Sequence, residues 1–327
     1  MKYERSEISS PLSPPTSKSP LAFIFAALAL FVATSWLLVW TASAQDRAFD
    51  WGRADVGPLA PGINRAHVQS ETPRRLNINC VRVDTATKGI SFYTTPRAKK
   101  WTSDKEETIR QTTRDFVRAA HEARRNMVAA INADAFSPWP APWDQATPTN
   151  LRGLAISKGR IVSQPSGTPS LLVRNDGRLE MTITDGNTDV HGVLVAVSGF
   201  GYCIENGVPV ASDDVKHPRT GYGLSEDRRF LFLMTIDGRR HASLGCTIAE
   251  AGEWLRHFGA YTGINMDGGG STTLVRWDPK TKSAELLNQP VGNGQTWHDK
   301  DPALEQQNYR PTERANGNNF GVIVANR

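Results

Sequence analysis

Seven consecutive residues, Asp267-Gly268-Gly269-Gly270-Ser271-Thr272-Thr273, join a carboxylate, three glycines and three hydroxyls. Glycines in a row let a backbone approach a ligand closely and turn N–H groups toward it. Such a nest suits an oxyanion or a phosphate. Ser271 and Thr272 would add donors. Asp267 beside them can serve as acid, base or metal ligand. The same spacing also fits a tight turn capped by an aspartate. No lysine follows, so this is not a Walker loop. It also lacks the GxGxxG spacing and the following helix of a dinucleotide site.

Other polar groups fall at predicted strand ends. Asn132 and Asp134 close an apolar run that starts at Met127. Asp237 ends the run 230–236 and precedes Gly238. His217, Arg219 and Thr220 open a further strand, and Glu313, Arg314 and Asn316 precede the last one. Each alone reads as a turn or a surface ion pair. Together they can converge on one rim of a sheet. The seven histidines show no i, i+4 pair and no HExxH, so zinc is not expected. Carboxylates and carbonyls near Asp267 could hold Ca²⁺ or Mg²⁺. No cofactor follows from the sequence.

The elements that must position these groups are mostly strands. Leu76, Ile78 and Cys80 alternate with polar residues, and 89–95 reads as a second strand. Ser103 with Glu106 fits a capping box. The helix it opens places Ile109, Phe116, Val117 and Ala120 on one face and ends near Asn126. Residues 127–132 read as a buried strand. Lys158-Gly159, Asn175-Asp176-Gly177, Asn206-Gly207 and Glu226-Asp227 mark hairpins. Thr247 with Glu250 starts a second helix, and Gly259 fits its C′ position. Strand, helix and strand over 229–266 predict one crossover unit. The expected fold is a mixed α+β domain, strand-rich, with about two main helices.

The amino terminus reads as a targeting segment. Residues 21–40 carry no charge, and twenty helical residues rise about 30 Å, the thickness of a bilayer core. Basic residues precede the run, and Ala42-Ser43-Ala44 has the small-x-small pattern of a signal-peptidase site. A cleaved signal and an uncleaved anchor are both open. Either way 1–44 is a cytoplasmic tail plus membrane-targeting segment. Residues 45–74 read as a linker and 75–327 as the catalytic domain, exported to the periplasm or held facing it.

Composition narrows the partners. A net charge of +5 is spread along the chain in clusters no longer than two, which does not make a nucleic-acid stripe. Cys80, Cys203 and Cys246 have neither CxxC nor zinc spacing. One disulfide with a free thiol, or three buried thiols, are the alternatives.

In order along the chain, several segments resemble the phosphodiester glycosidase family. Asn132-Ala133-Asp134-Ala135-Phe136 is similar to its Asn-Gly-Asp/Gly-Phe-Phe segment, and residues 153–162 resemble its next hairpin. Pro218-Arg219-Thr220 with Gly223, then Thr235-Ile236-Asp237-Gly238-Arg239, then Gly245-Cys246-Thr247 follow its pattern. Residues 265–273 are nearly identical to its signature, and Asn288-Gln289-Pro290 and Glu313-Arg314 match its closing motifs. Ala133 and Ala135 depart from it, standing for a glycine and an aromatic.

The resemblance implies cleavage of a glycosyl–phosphate bond in a sugar phosphodiester or phosphoglycan. It assigns Arg219 and Arg314 to phosphate oxygens, with Gly268, Gly269, Gly270, Ser271, Thr272 and Thr220 around them. Asp267 is expected at the anomeric centre or as general base. Asp134, Asp237 and Glu313 compete for a second acid role, and Asn132 is expected on sugar hydroxyls. His217 could shuttle a proton or be structural. Ser271 as a nucleophile lacks a nucleophile elbow. A non-catalytic carbohydrate- or envelope-binding module is the alternative from another class. An exported enzyme of this kind would act on envelope or exopolysaccharide material.

Overall fold

The computed structural model describes residues 48–325 except Ala54, 103–105, 139–140 and 212–213. The apolar run at 21–40, the cleavage pattern at 42–44 and Ser103 lie outside the described residues. Among the described residues no helix is long and apolar enough to cross a membrane.

Three antiparallel sheets enclose one core. The largest has eight strands, in the order Gly57–Ala60, Ile63–Ser70, Leu76–Asp84, Phe230–Ile236, Arg219–Leu224, Thr262–Asn265, Gly201–Glu205 and Val208–Pro209. A second, five-stranded sheet is built from the hairpins between Ala155 and Ser198. The third runs Ser283–Leu286, Leu274–Asp278, Met127–Asn132, Asn319–Val324 and Ile90–Thr94. Ile63, Val81 and Leu233 from the first sheet, Leu171 and Val195 from the second, and Ile131 and Phe320 from the third are all buried in one cluster. This is the mixed, strand-rich α+β architecture expected from the pattern.

The predicted turns carry the second sheet and the hairpins of the first. Lys158, Asn206 and Gly177 all have positive φ, which glycine and asparagine supply at low cost. The helix Ile248–Phe258 has the full Thr247–Glu250 capping box and a left-handed Gly259. It lays Trp254, Leu255 and Phe258 against Ile78, Cys80 and Phe232 on the outer face of the large sheet. The strands before and after it each pair antiparallel with Arg219–Leu224, which lies between them. They are therefore parallel to each other, as a crossover unit requires.

Two expectations are corrected. The first helix runs Thr113–Glu122, and its cap is Thr112, whose side chain accepts from the Asp115 N–H. Ile109 belongs to a short strand paired with Pro148–Leu151, and its side chain is exposed rather than on an apolar helix face. The backbone N–H groups of Glu107, Arg110 and Gln111 are taken by Thr149, Thr147 and Asn316 carbonyls, so no helix can begin before them. Second, the supposed linker contains two strands. Ile63–Ser70 pairs along its whole length with Leu76–Asp84, and Ile63 and Ala66 are buried. Cys80, Cys203 and Cys246 are free and buried, so the three-thiol alternative holds.

Candidate active site

Asp267 lies just beyond the end of strand Thr262–Asn265, where the large sheet meets the third. Its backbone is tied on both sides: Met266 N–H donates to the Thr220 carbonyl at 2.9 Å and Asp267 N–H to the Ala133 carbonyl at 3.1 Å. Asn132 locks this junction. Its Nδ2 donates to the Asp267 carbonyl at 2.6 Å. Its Oδ1 accepts from Thr220 Oγ1 at 2.8 Å and from Thr273 N–H at 3.0 Å. Asn132 is fully buried, and both ends of its amide are spent on the fold. The structure thus gives it a positioning part and not the sugar contact expected of it. Thr220 shares that part, and Thr272 lies 3.4 Å from the Thr220 hydroxyl.

The glycine run makes a single 3₁₀ turn, Gly269–Ser271. Gly269 N–H donates to the Pro218 carbonyl at 2.8 Å, and Ser271 N–H to the Gly268 carbonyl at 3.1 Å. These groups do not form the open nest the spacing allowed. The run does something else. Gly269 has φ +61°, and a methyl group built on it would lie 3.1 Å from Arg239 Nη2. A methyl on Gly270 would lie 2.5 Å from Arg314 Nη2. The missing side chains therefore let two guanidinium groups sit on the turn.

A pocket of about 300 Å³ opens above this turn. It is lined by Phe200, His217, Arg219, Arg239, Asn265 and Asp267 together with Gly268–Gly270 and Arg314. Three arginines face one carboxylate, so an anion is the natural occupant. Arg219 is held by the Cys246 and Val215 carbonyls at 3.1 and 2.9 Å. Arg314 lies over the Trp143 ring, 4.2 Å from its centroid. Burial lowers the pKa of Arg239 and Arg314, and Asp267 partly counters this for Arg314. The Oδ2 of Asp267 makes no hydrogen bond, and Asn265 Oδ1 beside it is also buried without one. Buried acceptors of this kind cost stability unless a ligand or water meets them. Burial pushes the Asp267 carboxyl up to about 6, against the pull of Ser271, Arg314 and Gly268.

The other expected acids are not in this pocket. Asp134 accepts from Ser198 N–H and Asn318 Nδ2, each at 2.8 Å, and burial raises its carboxyl well above the usual range. Glu313 pairs with Arg114, and burial raises it too. Asp237 accepts from Asn77, from Asn288 at 2.9 Å and from Gln289 N–H at 3.1 Å. Burial raises its carboxyl as well. All three brace the walls. Asp237→Ala would take the shared acceptor from the buried Asn77 and Asn288 amides and is expected to cost about 2 kcal/mol. The loss should be read in the urea midpoint; an unchanged midpoint would deny Asp237 this bracing part.

Sequence reasoning gave no role to Arg239, Asn265 or Phe200. Arg239 lay inside the quoted Asp237-Gly238-Arg239 motif, and that was its signal. Asn265 lay inside the quoted 265–273 signature in the same way. Phe200 had no signal, because only the sheet brings its segment beside Asn265. A larger cavity, about 560 Å³, surrounds Trp101 and Arg97, but its one acid, Glu106, is on an open rim. Among the described residues no three His, Cys, Asp or Glu side chains cluster as a metal site would need. The lining of the Asp267 pocket holds one carboxylate, fewer than an all-protein Ca²⁺ site draws on.

A model of the phosphodiester glycosidase family matches residues 125–322. The chain belongs to the phosphodiester glycosidase family. Among solved structures it is similar to the catalytic domain of zebrafish N-acetylglucosamine-1-phosphodiester α-N-acetylglucosaminidase, auto-inhibited by its pro-peptide, at 17% identity and a TM-score of 0.56. That likeness covers 86% of this chain and 87% of the other, and concerns the fold. A putative exported protein of Burkholderia pseudomallei matches at 14% identity and a TM-score of 0.48, over 77% and 74% of the two chains. No curated protein matches the sequence significantly.

Proposed function

We propose that the protein hydrolyses the glycosyl–phosphate bond of a sugar phosphodiester. The observation that carries this reading is one buried carboxylate, its Oδ2 without a hydrogen bond, among three arginines in a single pocket. Water adds to the anomeric carbon and the bond from that carbon to the phosphate oxygen breaks. The products are the free sugar and a phosphomonoester, which keeps the bonding electrons. Asp267 takes the proton from the attacking water. A general base works best with a pKa close to the operating pH, and about 6 meets that need. Arg219, Arg239 and Arg314 bind the phosphate oxygens, where planar guanidinium groups fit well. Charge on the departing phosphate is then stabilised without a second acid. This accounts for a pocket whose lining holds one carboxylate, where glycosidases with poorer leaving groups use two.

The test is a panel of sugar-1-phosphodiesters incubated with residues 45–327, following free sugar and phosphomonoester together. Equal release of both from at least one member is expected. No release from any member would defeat the reading. We further propose that the protein is exported and acts on envelope or exopolysaccharide material. The uncharged run at 21–40 supports this. Cell fractionation with that activity as marker checks it, and an activity confined to the cytosol would refute it.

A further inference from the structure

The three arginines of the pocket are not held alike. Arg219 is fixed through its guanidinium by two carbonyls, and Arg314 lies on the Trp143 ring. Arg239 rests on Gly269, with Nη2 3.1 Å from where a methyl there would stand. Burial lowers its pKa, and no carboxylate pulls against that. Its place is therefore set by its backbone. That backbone is left-handed, at φ +60°. A residue with a side chain keeps such a conformation only where its surroundings enforce it.

The enforcing bonds come from residues 297–309. Trp297 N–H donates to the Arg239 carbonyl at 2.6 Å, and His298 N–H to the same oxygen at 3.3 Å. Glu305, on the short helix Pro302–Asn308, takes hold of the next two residues, one with each carboxylate oxygen. Its Oε1 accepts from Arg240 Nε at 3.0 Å and lies 2.8 Å from Arg240 Nη2. Its Oε2 accepts from His241 N–H at 2.6 Å. The His241 ring donates to the Lys300 carbonyl at 2.6 Å. Glu305 and Arg240 are both buried. The Arg240 guanidinium covers the Tyr309 ring at 3.6 Å, and Tyr309 meets Trp297 edge to face. Tyr309 Oη donates to the Pro290 carbonyl at 3.0 Å, which ties the segment back to the stretch whose Asn288 and Gln289 bind Asp237.

The geometry points to Glu305 as a positioning residue for Arg239: residues 297–309 form a strap, closed by Glu305, that keeps the Arg239 backbone in the conformation laying its guanidinium on the glycine turn. The inference rests on the phosphate-binding reading of the Asp267 pocket, and it adds a residue that lines no part of that pocket. A guanidinium binds phosphate in its own plane through paired N–H groups. A turned backbone forfeits those bonds even though the charge stays nearby. A buried ion pair with no further part would cost stability when broken and leave the pocket's affinity alone.

The probe is inorganic phosphate, titrated calorimetrically into the wild type, Glu305→Ala, Arg239→Ala and the double variant at a temperature where all are folded. The wild type is expected to bind it, and each single variant to bind it about tenfold more weakly, the worth of one charge-assisted hydrogen bond. The double variant should be no weaker than Arg239→Ala alone, because Glu305 acts through that residue. Glu305→Gln keeps the volume but sets an amide N–H against one of the two donors, and should lose about threefold. It carries the test if the alanine variant does not fold. Unchanged affinity in any folded single variant would overturn the inference while the phosphate pocket stands. So would a double variant whose loss is the product of the two single losses. No binding to the wild type would remove the phosphate reading of the pocket as well.

Discussion

Replacing Asp267 with asparagine should abolish turnover by about a thousandfold or more while leaving the fold intact, and should raise stability at neutral pH. Both effects have one cause. Removing a positioned general base typically costs two to four powers of ten. Burial raises this carboxyl from 3.8 to about 6, because its charge is deprived of water. The folded protein therefore binds the proton more tightly than the unfolded chain does. Its contribution to stability is intact below about pH 4 and is lost as pH rises through about 6. Two pKa units correspond to about 3 kcal/mol. Asparagine carries no charge to desolvate, so melting temperature at pH 7.5 should rise, within that limit. The wild-type kcat/KM should fall on the acid side of pH 6 as the base is protonated. Near wild-type turnover in a folded Asp267→Asn protein would refute the assignment, as would a kcat/KM profile flat from pH 5 to 7.

Gly270→Ala should cost about a hundredfold in kcat/KM with little change in melting temperature. Gly270 does not have positive φ, so alanine can take its backbone conformation. What it cannot do is leave Arg314 in place. The new methyl would meet Nη2 at 2.5 Å and Cζ at 2.8 Å. The long arginine side chain can yield by leaving the turn and the Trp143 face. The phosphate then loses a bidentate partner. Asp267 also loses the positive charge that holds its carboxyl down, so the acid limb should move to higher pH. Gly269→Ala makes a useful contrast. Its φ of +61° strains any side chain, so that variant should lose stability as well. Wild-type kinetics in Gly270→Ala would show that Arg314 does not act from this position.

Much of the local structure was legible because it rests on local physics. Asn206-Gly207 and Lys158-Gly159 turn where positive φ is needed, and Thr247 with Glu250 caps a helix through bonds three residues apart. The misplaced helix start shows the limit. Ile109 has the spacing of a helix face, but the backbone N–H groups beside it find partners on 147–149 and 316. Strand Ile63–Ser70 was missed for a similar reason, since it becomes a strand only by pairing with Leu76–Asp84.

The site divides the same way. By itself the sequence determined the family, the glycine signature and the supply of carboxylates and arginines at strand ends. Only the tertiary structure decided that Asp267 faces the pocket while Asp134, Asp237 and Glu313 are spent on donors in the surrounding walls. It also decided that Gly269 and Gly270 seat guanidinium groups and do not form an open nest. A carboxylate at a strand end has the same local chemistry whether it meets substrate or braces a wall. Which it does depends on neighbours from 51 to 199 residues away in the chain, and those are set by how three sheets share one core.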